Sequence, residues 1–257
     1  RSQLSVDTAQ DTMLNGPIQG GLFPDLRKKS AMEMSKFDFS IHPIGGIVPI
    51  MEQHRYREYA KIMLSTLPFL PSTRPVHMFG CGHPMLFPMS IALGADLFDS
   101  AAYALFARDG RILTPWGTEK LEGLIEWPII MPCISSHTPE EVRKMDKDDR
   151  MKLLSKYNLE ITLAELSRCR QAVRDGDIWR LVEQRSHQHP ALRDAFLWLT
   201  TNPATAKYIK LNHDDIPLDE TTSSQDFSNQ GGWESGWNWI LDAQLTPRKG
   251  GEQWAGS

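Results

Sequence analysis

Cysteine is scarce in this sequence. Cys81, Cys133 and Cys169 are the three in 257 residues, and no two form a CxxC pair. That excludes a disulfide framework and fits a reducing compartment. Long apolar runs are missing too: none reaches the ~18 residues of a membrane span. The N-terminus shows no signal-peptide pattern, so a cytoplasmic protein without membrane contacts is expected. Neither sign of charge dominates. A formal net charge of −4 argues against a strongly basic nucleic-acid clamp over the whole chain, while leaving room for a local patch. P-loop, GxGxxG and GxSxG signatures are all missing, which leaves nucleotide-cofactor chemistry and a serine nucleophile elbow without support. What remains is 40% apolar and 23% charged, enough for one large domain or two small ones with a real core. The chain opens at Arg1 and closes on a polar "RKGGEQWAGS", so a segment of a longer protein is expected.

From residue 13 to about 125 the sequence repeats a short apolar run, a loop and an amphipathic helix. "MLNGPIQGG" leads to a helix from Pro24 to Lys36, where Pro24 and Asp25 suit a first turn. "FSIHPIGGIV" leads to a helix over 50–67, with Ile50, Tyr56, Ala60, Met63 and Leu67 near helical spacing. "RPVHMFGCG" leads to a shorter helix over 84–94, and "ADLFDSA" is the fourth run. Such alternation predicts parallel β/α units with ligands at the carboxyl ends of the strands. Those ends are Gln19-Gly20-Gly21, Gly45-Gly46, Gly80-Cys81-Gly82 and Asp99-Ser100, expected on one face. Glycine there serves either turn chemistry or close approach of a flat ligand. Residues 126–199 read as helical: Thr138, Pro139 and Glu141 form a capping box, two helices over 162–186 break near Asp175-Gly176, and another helix covers 189–199. Residues 200–257 read as a polar loop and a Trp-rich extension around Trp233, Trp237 and Trp239, more suited to packing or an interface than to base stacking.

Asp99 is the sharpest functional candidate. It directly follows the end of a strand (Leu97, Phe98) expected to be buried, and an unpaired carboxylate there costs several kcal/mol. It serves either as nucleophile or general base, or as a structural carboxylate that caps the next turn or pairs Arg108 or Arg111. Spacing leaves the two evenly balanced. His77, Cys81 and His83 lack metal-ligand spacing and read as structural. His187 and His189 read as a helix junction. Arg108 and Arg111, near Tyr103 and Phe106, suit either a phosphate-holding loop or a solvated one.

Taken together, "PIQGGLFPDLRKKSA", "HPIGGIVPIME", "HMFGCGHPMLF", "ALGADLFDSAAYALFARDGR" and "LTPWGTEKLE" resemble the tRNA-guanine transglycosylases. The archaeal branch, which inserts the 7-deazaguanine preQ0 at position 15 of tRNA in archaeosine synthesis, is the nearest. The resemblance runs from about residue 15 to about 195. It implies an α/β fold of (β/α)8 TIM-barrel type. The chain would hold the C-terminal half, about four β/α units over 13–125, followed by a helical region that closes the barrel. Asp99 would be the nucleophile, forming a covalent aspartyl-ribosyl intermediate with the target nucleoside. Gln19 would bond the base edge, Gly45, Gly46 and Ile47 would line the base pocket through their backbone, and Val48 would be its apolar wall. Arg108 and Arg111 would contact tRNA. The resemblance also places the family's other catalytic and base-reading aspartates on early strands that lie before residue 1.

One departure is clear. The family's zinc site, a CxCxxC run and a later histidine, aligns with Ile129, Met131, Ile134 and Tyr157, and Cys133 sits one place off the pattern. Isoleucine and methionine cannot replace thiolates in tetrahedral zinc, so no metal cofactor is expected and an apolar plug takes the site. The expected partners are tRNA and a guanine or preQ0 base, with a homodimer or a partner subunit as further options. Within the family the alternative is an archaeosine-synthase-like paralogue; outside catalysis it is a tRNA-binding subunit of a transglycosylase.

Overall fold

The computed structural model describes residues 13–205. Three short strands, β1 (His42–Ile44), β2 (Val76–Met78) and β3 (Leu97–Phe98), form a parallel sheet in that order. His42 pairs Val76, Ile44 pairs Met78, and Phe98 also pairs Met78. Ahead of β1, parallel bridges from Asn15 to Ile41 and from Ile18 to Ile44 extend the sheet by one more segment. Parallel neighbours need crossovers, and helices supply them. α1 (Pro24–Met34) precedes β1. α2 (Val48–Glu52) and α3 (Tyr56–Leu64) lie between β1 and β2, and α4 (Phe87–Leu93) lies between β2 and β3. All three residues of β1 are buried, as a strand covered on both faces requires.

The helix expected over 50–67 is two helices. His54 adopts φ 55° between them, so the chain turns sharply after Glu52 before restarting at Tyr56. The strand end expected to be buried is also open. Leu97 is 40% exposed because β3 is paired on one side by β2 alone. Beyond α5 (Ala102–Arg108) the parallel rhythm stops at an antiparallel hairpin, β4 (Arg111–Thr114) and β5 (Gly117–Lys120). Thr114 favours that turn: its hydroxyl bonds the Gly117 carbonyl and accepts the Trp116 N–H.

The helical region follows its sequence signals at the caps, but the helix expected from residue 162 starts at Lys147. α6 (Pro139–Lys144) starts with the Thr138–Glu141 capping box. α7 (Lys147–Arg174) ends where Gly176, at φ 76°, donates to Val173 O and Asp177 donates to Ala172 O. That Schellman closure is what the Asp-Gly pair is suited to make. α8 (Ile178–Ser186) and α9 (Pro190–Thr201) complete the described chain, with His187 and His189 at their junction. The tryptophans at 233, 237 and 239 lie outside the described residues. No helix among the described residues is long and apolar enough to cross a membrane.

Two apolar cores result. One joins the sheet to α3, α4, α8 and α9; the other joins α5, β4, α6 and α7. α7 runs past both, and two polar residues fasten it. Buried Asn158 accepts the Leu113 N–H at 2.7 Å and donates to Tyr103 O and Arg111 O, tying α7 to α5 and β4. Glu165 meets Arg185 of α8 in a buried two-bond pair at 2.7 and 2.9 Å.

Candidate functional site

The carboxyl ends of the strands meet as expected, and Asp99 stands among them. Its Oδ1 lies 2.8 Å from His77 Nε2 and accepts the Gly80 N–H at 2.8 Å. Both partners come from β2 and its following turn, the strand to which β3 is paired. Oδ2 accepts nothing among the described residues, and the Asp99 side chain is half exposed. One oxygen is thus held while the other is presented, an arrangement suited to in-line attack by a carboxylate. Gly80 earns its place by conformation. At φ 81° it aims its N–H at Asp99, and a Cβ there would come within 2.5 Å of Val48 Cγ2.

Neither structural alternative for Asp99 is used. Ser100, not Asp99, accepts the Ala102 N–H at the start of α5. Arg108 faces Asp109 at 3.7 Å, and Arg111 donates to Thr118 and lies 4.8 Å over the Phe106 ring. The aspartate with a structural task is Asp96, which accepts the Val76 N–H at 2.7 Å from the opposite end of β3.

Gln19, Gly45 and Gly46 form the neighbouring group. A Cβ on Gly45 would lie 2.2 Å from Gln19 Nε2, so the glutamine amide rests directly on the bare glycine. Glycine at 45 therefore makes room for Gln19 itself. Gly46 is exposed at φ 69°. Ile47 is wholly buried, backbone included, whereas Val48 is 38% exposed and packs against Gly80. The chain thus links Gln19 to Gly45–Gly46, and Val48 to Gly80 and Asp99. The two arginines are not grouped with them. Arg108 lines a cleft of about 330 Å³ with Lys120, Arg143, Lys147 and Arg150 and with the acidic Asp109 and Glu122, and Arg111 is absent from that lining.

His77, Cys81 and His83 have three separate tasks. His77 holds Asp99, Cys81 accepts the Tyr59 hydroxyl at 3.6 Å, and His83 Nδ1 accepts the Met85 N–H. No group of three or more His, Cys, Asp or Glu able to hold a metal occurs among the described residues. Burial, reinforced by the positive charges of His54, Arg111 and His189, pushes His83 down to about 4. An unfolded histidine titrates near 6.5, so between those values the unfolded chain binds a proton that the folded chain refuses. Stability is therefore expected to fall as pH drops from about 6.5 toward 4. Urea midpoints across that range should show a flatter slope in His83→Gln; an unchanged slope would count against His83 as the cause.

At the positions aligned with zinc ligands, Ile134 is fully buried and Tyr157 donates from its hydroxyl to Ile129 O at 3.0 Å. Met131 and Cys133 pack against the same core, and Trp127 lies 5.6 Å from the Tyr157 ring. Burial holds the Tyr157 phenol well above its usual range, and it pushes the Cys133 thiol up to about 12 beside Glu160. These side chains do not fit a zinc ion: two hydrocarbons, a thioether and a protonated phenol offer no thiolate or imidazole.

The family model for queuine tRNA-ribosyltransferase matches residues 1–191. The chain belongs to that family. Among its relatives is the tRNA-guanine(15) transglycosylase of Methanocaldococcus jannaschii, 47% identical over 203 residues, covering 76% of this chain and 31% of that protein. The protein of the same name from Methanococcus aeolicus is 48% identical over 203 residues, with the same two coverages. Its counterpart in Pyrococcus abyssi is 42% identical over 217 residues, covering 80% of this chain and 37% of that protein. The chain spans about a third of the length of these relatives.

Sequence reasoning passed over Arg27, Ser30 and Asn158, and assigned His77 no part in the site. The signal for the first two lay in "LRKKS". An arginine and a serine three apart on α1 share one helix face, and both reach back to the loop at Gln19.

Proposed function

We propose that this chain supplies the nucleophile and base pocket of an archaeal-type tRNA-guanine transglycosylase, a pentosyltransferase acting in the cytoplasm, and that it forms the C-terminal half of a TIM barrel. The observation that carries the reading is the half-exposed Asp99 carboxylate, with Oδ1 held by His77 and Gly80 and Oδ2 accepting nothing among the described residues. Oδ2 attacks C1′ of the target nucleoside, forming a C1′–O bond as the bond to guanine N9 breaks. The bonding pair leaves with guanine, which takes up one proton. An incoming preQ0 then attacks C1′ through N9, gives up one proton, and restores the carboxylate. Retention through two displacements follows the logic of a retaining glycosidase, with a base in place of water. The nucleoside must leave the stack for C1′ to be reached. The cleft at Arg108 supports a tRNA partner, because its five cations outnumber Asp109 and Glu122 and suit phosphates of the RNA backbone.

The test is incorporation of labelled guanine into archaeal tRNA by the intact protein. Incorporation at position 15 supports the reading. Binding of tRNA without exchange would replace it with that of a non-catalytic subunit, and action only on tRNA that already carries preQ0 would replace it with the synthase-like paralogue.

The reading includes an apolar plug in place of zinc. Purified intact protein is expected to carry less than stoichiometric zinc by elemental analysis, and EDTA is expected to leave its melting temperature unchanged. One equivalent of zinc per chain, lost together with stability on chelation, would overturn the plug.

A further inference from the structure

Arg27 is a charged residue with no exposed surface, and it has no carboxylate partner among the described residues. Its guanidinium is spent on backbone carbonyls from two loops. Nε donates to Gly21 O at 2.9 Å, and Nη1 donates to Ile18 O at 3.2 Å and Gly45 O at 2.8 Å. Nη2 is buried without a partner. A cation sequestered in this way costs several kcal/mol, and burial lowers its pKa from the usual guanidinium range. From the next turn of the same helix, Ser30 Oγ accepts the Gln19 N–H at 3.1 Å. α1 is thus a strut under the Gln19–Gly21 loop, and Arg27 welds that loop to Gly45.

The bond to Gly45 O acts on one particular peptide group. The Gly45 carbonyl and the Gly46 N–H belong to the same amide. A charged donor on the oxygen draws density from the nitrogen and makes its N–H a stronger donor. That N–H has no acceptor among the described residues, and Gly46 is exposed. Beside it lies Gln19 Oε1, 3.4 Å from where a Gly46 Cβ would stand; Arg27 Nη2 lies 3.5 Å from the same point.

We propose that Arg27 is a positioning residue of the base pocket: it orients and polarises the Gly45–Gly46 peptide so that the Gly46 N–H donates to a keto oxygen of the bound base, and it keeps Gln19 on Gly45. Arg27 itself touches no substrate. The inference rests on the transglycosylase reading and adds the source of its selectivity for an oxo-purine.

The experiment uses the intact protein with guanine and 6-thioguanine as competing bases, the second having a weaker acceptor at the same position. In Arg27→Met the KM for guanine should rise by about tenfold or more, the loss of one charge-assisted bond. The KM for tRNA should stay within about twofold, since phosphate contacts are untouched. The preference for guanine over 6-thioguanine should shrink, a change that loosened packing alone does not produce. Arg27→Lys retains the charge but not the fork, and should recover part of both the KM and the preference. If Arg27→Met does not fold, Arg27→Lys decides alone: unchanged KM and preference in it overturn the proposal, and an intermediate loss supports it. Wild-type exchange with no change in either variant overturns this inference and leaves the transglycosylase reading intact. Absence of exchange in the wild type overturns both.

Discussion

Asp99→Asn in the intact protein is expected to lower guanine exchange by about a thousandfold or more, the scale of losing a nucleophile whose partners cannot replace it. Asparagine keeps the size of the side chain and one carbonyl oxygen for the Gly80 N–H and His77. It presents a neutral amide where Oδ2 stands. The fold should survive, because the side chain is half exposed and Ser100, not Asp99, secures the start of α5. A melting temperature within a few degrees of wild type, together with the lost rate, separates chemistry from collapse. Denaturing gels add a direct readout. Wild-type protein mixed with tRNA and no incoming base should yield a covalent adduct, and Asp99→Asn should yield none. Exchange retained in both Asp99→Asn and Asp99→Ala would falsify the assignment. His77 is the natural comparison. Its substitution leaves both carboxylate oxygens in place and should cost rate without abolishing the adduct.

Glu165→Leu should be the most destabilising single change on the buried face of α7. Glu165 and Arg185 are nearly inaccessible and joined by two bonds in parallel. Removing one partner leaves a guanidinium buried without its counter-charge, at a cost of about 3–5 kcal/mol. That corresponds to a drop in melting temperature on the order of 10 °C. The pair itself need not be strongly stabilising, because bringing two charges out of water offsets most of their attraction. The double substitution Glu165→Leu with Arg185→Met is therefore expected to recover most of the loss. Urea denaturation of the four proteins measures this as a coupling energy. If the double variant were as unstable as the sum of the singles, the pair would not be coupled and its role in joining α7 to α8 would have to be abandoned.

Local signals were read well where local physics decides. The Thr138–Glu141 box, the Asp175-Gly176 break and the start of α9 at Pro190 were all legible, because capping and left-handed closure depend on residues a few positions apart. The alternation of strands and helices up to β3 was legible for the same reason. The break at His54 was not, since the apolar spacing continues across it and only a positive φ marks the turn. The hairpin at β4–β5 was missed too. Its turn residues are few, and much of its anchoring comes from Asn158, 45 positions away from the N–H it accepts.

By itself the sequence determined the α/β rhythm, the order of the blocks and the family, and it singled out Asp99 with two possible uses. Only the tertiary structure decided between a cap and a presented carboxylate, because that depends on β2 delivering His77 and Gly80 to Oδ1. It also decided what the glycines serve: Gly45 is bare so that Gln19 can lie on it, and Arg27 of α1 reaches across 18 positions to hold Gly45 in place. Hydrogen bonds and close approaches between distant segments leave no periodicity in a sequence. They exist only once the sheet has brought its strand ends together.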